Sequence, residues 1–80
     1  MDPTPKQLKA ARTWLGWDLD RAADESGVHK QTISRVENGH QAPTTDTLRG
    51  MVQAYARHGM WLDHGYIRFD PEVKEEGSVK

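Results

Sequence analysis

There is no cysteine among the 80 residues. No disulfide can brace the fold, and no thiolate can hold a metal. A membrane span needs about 20 apolar residues, and no such run occurs. The start, Met1-Asp2-Pro3-Thr4-Pro5-Lys6, lacks the basic then apolar run of a signal peptide, so the expected location is cytoplasmic. An excess of either charge is missing too: 11 Lys and Arg stand against 12 Asp and Glu. A pI near 6.4 excludes the simplest polybasic nucleic-acid binder, whose domain pI is usually above roughly 9. A local basic face stays open. Residues 1–62 carry eight bases and seven acids, net +1, whereas residues 63–80 carry three bases and five acids, net −2.

Enzyme motifs are missing as well. Ser34 has no Gly-x-Ser-x-Gly setting, no glycine loop could cradle a phosphate, and Asp24 and Glu25 are adjacent rather than facing across a cleft. His29, His40, His58 and His64 lack the spacing of metal ligands and read as surface residues. Neither catalysis, nor a metal, nor a cofactor is expected.

What the chain does have is helical punctuation. Pro5 suits a first helical turn, with Thr4 as its cap. Leu8, Ala11 and Leu15 then form an apolar stripe that ends at Gly16. Asp18 caps a second helix with apolar Leu19, Ala22 and Ala23, closed at Ser26-Gly27. A third helix runs from about His29 to Asn38, and Gly39 stops it. Its wheel places Lys30, Gln31, Ser34 and Arg35 on one polar arc, opposite Ile33 and Val36. Thr44 or Thr45 caps a fourth helix, where Leu48, Met51, Val52 and Tyr55 give the clearest amphipathic pattern. Gly50 inside it predicts a close packing neighbour. Residues 60–69 change period and read as a β-hairpin around Asp63-His64-Gly65. Trp14, Trp17 and Trp61 read as core residues. Asp20 and Asp24 read as solvated.

Two short helices joined by Gly27-Val28, the second with a polar face, make a helix-turn-helix pattern. Its dimensions suit DNA. A major groove about 12 Å wide accepts one helix, and about nine residues give roughly 13.5 Å of it.

Gly16-Trp17-Asp18, Ala23, Gly27-Val28, the run Thr32 to Gly39, and Pro43-Thr44 followed by Thr47-Leu48 together resemble the Cro/CI and Xre-type regulators. The resemblance covers about residues 6–58. It implies a mainly α, lambda-repressor-like helix-turn-helix domain of four to five helices with a short C-terminal β-hairpin. It implies that Lys30, Gln31, Ser34 and Arg35 face the major groove and that Thr32, near the edge of that face, touches a phosphate or a thymine methyl. Asn38, His40 and Gln41 would meet the sugar-phosphate backbone. His29 departs from the family, which has Ser or Thr at the start of the recognition helix, and is able to contact phosphate instead. Arg12 and Glu37 match the family's structural ion pair. Leu19 departs from the pattern, standing where the family has a phosphate-contacting Gln.

The expected organisation is a flexible lead (1–4), a DNA-binding domain (5–59), a hairpin for dimerisation (60–69) and a disordered acidic tail (70–80). The expected function is sequence-specific binding of double-stranded DNA as a transcriptional regulator. A repressor reading a two-fold symmetric operator as a homodimer is the form expected. The small core and a single recognition helix on a net-acidic chain argue for pairing, with Met51, Tyr55, Trp61, Ile67 and Phe69 as the expected dimer surface. A different class stays open: an antitoxin or other protein-interaction module that binds a toxin or partner.

Overall fold

The computed structural model describes residues 3–63 and 66–69, with side chains among them through Leu62. The order is α1 (Pro5–Trp14), α2 (Leu19–Ser26), α3 (Lys30–Glu37), α4 (Thr45–Arg57), β1 (Met60–Asp63) and β2 (Tyr66–Phe69). Among the described residues four helices and one strand pair make up the mainly α fold expected.

Each helix starts where a side chain supplies the hydrogen bond its first turn needs. Thr4 belongs to the fold, not to a loose lead: its Oγ1 accepts from the Gln7 N–H at 3.1 Å, and Gln7 Oε1 accepts from the Thr4 N–H at 2.8 Å. This is a full capping box. Asp18 Oδ1 accepts from the Arg21 N–H, and Thr44 Oγ1 accepts from the Thr47 N–H. Before α3, His29 Nδ1 accepts from the Gln31 N–H at 3.2 Å.

The apolar faces close on one core of Leu8, Ala11, Trp17, Ala22, Ile33, Val36, Met51, Ala54, Tyr55, Met60 and Leu62. Trp17 belongs to it, with the Tyr55 ring 5.8 Å away, the His58 ring edge-on at 4.8 Å and the Arg21 guanidinium 5.0 Å over its face. β1 and β2 pair antiparallel within the chain, from Met60 opposite Phe69 to Asp63 opposite Tyr66. Met60 and Leu62 point into the core and Trp61 points out, the alternation of a half-buried strand.

Four expectations need correction. Trp14 is 68 % exposed and is no core residue, because α1 ends there and the chain turns at Gly16 with φ 75°. Trp61 is likewise exposed, at 37 %. His58 is buried rather than on the surface. Met51 and Tyr55 are fully buried against their own chain, so they cannot form a dimer surface. The side chains of Ile67 and Phe69, and residues 70–80, lie outside the described residues.

Candidate nucleic-acid interface

The local chemistry of the turn fixes how α3 is offered. Gly27 closes α2 in the left-handed region, φ 74°, and its N–H donates to the Ala23 carbonyl at 2.9 Å. Ser26 stitches the corner: its hydroxyl donates to the Ala22 carbonyl at 2.6 Å and accepts from the Val28 N–H at 3.1 Å. α4 then presses on the turn from behind. A Cβ on Gly50 would stand 2.7 Å from the Ser26 carbonyl oxygen and 3.4 Å from Val28 Cγ2. The expected close neighbour of Gly50 is thus the turn itself.

The far end of α3 is pinned by charge. Arg12 Nε donates to Glu37 Oε2 at 2.8 Å, and a second guanidinium nitrogen donates to Oε1 at 2.9 Å. The third nitrogen donates to the Trp17 carbonyl at 2.9 Å. Both side chains are largely buried. The hydrogen bond to Glu37 raises the Arg12 pKa above its ordinary value against the opposing effect of burial. One guanidinium therefore joins α1, the α1–α2 loop and the end of α3. Asn38 caps α3, and the His40 N–H donates to the Arg35 carbonyl at 2.9 Å around the left-handed Gly39.

A second long-range tie holds α2 to the end of α4. Glu25 meets Arg21 at 3.0 Å, His58 Nε2 at 3.2 Å and Arg57 at 3.9 Å. Burial pushes the Glu25 carboxyl up, but hydrogen bonds from His58 and Arg21 outweigh it, leaving the pKa below its ordinary 4.5. The Arg57 guanidinium also donates to the Glu25 carbonyl. This cluster was not legible in the sequence, since 33 positions separate Glu25 from His58 and no periodicity connects them.

Ile33 and Val36 are sealed inside, so α3 can show only its polar arc. Lys30, Gln31 and Arg35 are exposed and Ser34 is half-buried on that arc. Lys30, Gln31 and Ser34 share an open recess with Arg12, Leu19 and Asp20 from the α1 and α2 side. His29 and half-buried Thr32 lie on a separate recess shared with Asp46 and Thr47 of α4. Asn38, His40 and Gln41 are exposed in the loop that follows α3. Asp20 is solvated as expected, and its Oδ1 also lies 3.1 Å from Lys30 Nζ. Among the described residues there is no cluster of three or more groups able to hold a metal, and no helix long and apolar enough to cross a membrane.

Two short helices set at a glycine corner, the second showing a polar face to solvent over a sealed core, define the helix-turn-helix class. The family model described as helix-turn-helix matches residues 8–62. The chain belongs to the Cro/CI/Xre-type helix-turn-helix family. That membership supports a DNA-binding role in the regulation of transcription. No curated protein matches the chain.

Proposed function

We propose that the chain is a repressor that reads a two-fold symmetric operator as a homodimer. The observation that carries this reading is the exposed arc of α3, held at both ends by buried contacts and free of any core duty. Lys30, Gln31, Ser34 and Arg35 contact base edges. Arg35 suits guanine O6 and N7, and Gln31 suits adenine N6 and N7. Asn38, His40 and Gln41 bind sugar-phosphate from the following loop, and His29 and Thr32 do so from the α4 side of the helix. Repression follows from occupancy: a domain this small, seated on a promoter, blocks polymerase without further machinery.

The test is selection of bound duplexes from a random pool, then titration of the selected duplex with Arg35→Ala and Gln31→Ala beside the parent. A palindromic motif is expected, and each substitution should lower the preference for it by about 1–3 kcal/mol. Affinity should fall steeply with salt. Should no motif emerge, or should both variants bind like the parent, groove reading by α3 is wrong and the partner is a protein.

A further inference from the structure

The recess that holds Gln31 and Ser34 also holds a carboxylate. Asp20, in the first turn of α2, has a side chain 73 % exposed, and Lys30 beside it is 55 % exposed. An ion pair so open to water contributes little to folding. Its effect falls on whatever enters the recess. Leu19 offers no hydrogen bond there, so at that corner the charged groups facing an incoming duplex are Asp20 and Lys30, with Asp18 alongside. The Arg12 guanidinium behind them is already engaged by Glu37.

We propose that Asp20 is a specificity-determining residue, which restrains Lys30 on unrelated duplex and reads a base amino group on the right one. The proposal rests on groove reading by α3. In the free chain the carboxylate neutralises Lys30, and so weakens the attraction to phosphate that every duplex shares. On a duplex that places a cytosine N4 amino group beside Asp20, the carboxylate accepts its hydrogen bond, and Lys30 turns to guanine O6 and N7. On other sequences no base amino group meets the carboxylate, which keeps Lys30 and faces the phosphates. Asp20 thus opposes all duplexes and is compensated on few of them.

The experiment uses the full chain, the duplex selected by the parent from a random pool, and a scrambled duplex of equal length. Asp20→Asn, Lys30→Met and their combination are titrated at several salt concentrations, with circular dichroism to verify folding. Asp20→Asn should bind the scrambled duplex more tightly, with a salt slope steeper by about 0.9 as Lys30 becomes available to one phosphate. The preference for the selected duplex should fall by at least about fivefold, the low end for one base-edge contact. With Lys30→Met in place, Asp20→Asn should no longer steepen the slope. Unchanged affinity for the scrambled duplex, or an equal gain on both duplexes, would overturn the proposal. Arg35→Ala separates the two ideas. If it abolishes the preference while Asp20→Asn does not, only the role of Asp20 fails. If neither variant alters it, groove reading fails as well.

Discussion

A charge removed from water is tolerable only when its hydrogen bonds are met, and the guanidinium of Arg12 meets that condition three times over. Arg12→Ala leaves Glu37 buried and alone, so the expected loss is about 3–5 kcal/mol. In a domain this small that lowers the melting midpoint by more than about 12 °C, which calorimetry would show. Arg12→Met combined with Glu37→Leu should recover most of it, because an apolar pair of similar volume leaves no orphan charge. If the double variant melts no higher than the single one, the pair does more than fill space. Single residues were unevenly legible in the sequence. Thr4 and Asp18 announce themselves because capping is local chemistry, and the same chemistry left the fourth cap between Thr44 and Thr45, of which Thr44 is the one. Arg12 and Glu37 came only through the family likeness, since 25 positions separate them. Trp14 and Trp17 looked alike on paper. The left-handed turn at Gly16 between them sends one into the core and leaves the other outside.

Helix α2 packs against both α3 and α4, and Gly50 is where α4 and the turn touch. Helix propensity alone says Gly50→Ala should stabilise by about 1 kcal/mol. The contact says the reverse: the new methyl would meet a backbone oxygen that cannot swing away, and overpacking of this kind costs typically about 1–3 kcal/mol. The expected outcome is a lower melting midpoint in Gly50→Ala, measured by thermal denaturation. A higher one would mean that the turn yields easily. The amphipathic stripe of α4 shows the limit of pattern reading at this scale. Leu48, Met51, Val52 and Tyr55 say that one face is buried, and the sequence does not say against what. Met51 and Tyr55 lie in the chain's one core, with Trp17 against the Tyr55 ring and Met60 and Leu62 of β1 in the same cluster.

For the molecule as a whole, the balance of charge argues for pairing. A domain near neutrality has little general attraction for DNA, and one recognition helix reads only a few base pairs. Two copies whose helices stand about 34–36 Å apart would read successive turns of one groove. Met51 and Tyr55 are buried inside the chain, and among the described residues the exposed apolar side chain on β1 is Trp61, which shares a shallow groove with Gln53, Ala56 and Arg57 of α4. Light scattering at micromolar concentration should give about twice the 9.1 kDa of the chain, and Trp61→Ala should shift it toward the monomer. A parent that scatters as a monomer at that concentration removes the dimer.

The separation of duties on α3 also bears on how such a protein changes over generations. Ile33 and Val36 hold the helix down, while Lys30, Gln31 and Arg35 stand exposed on its outer side. Under the groove reading proposed above, drift at those outward positions alters which promoters the chain visits and leaves its folding intact. A duplicated copy could therefore acquire a new address in the genome by a few substitutions, with no unfolded ancestor along the way.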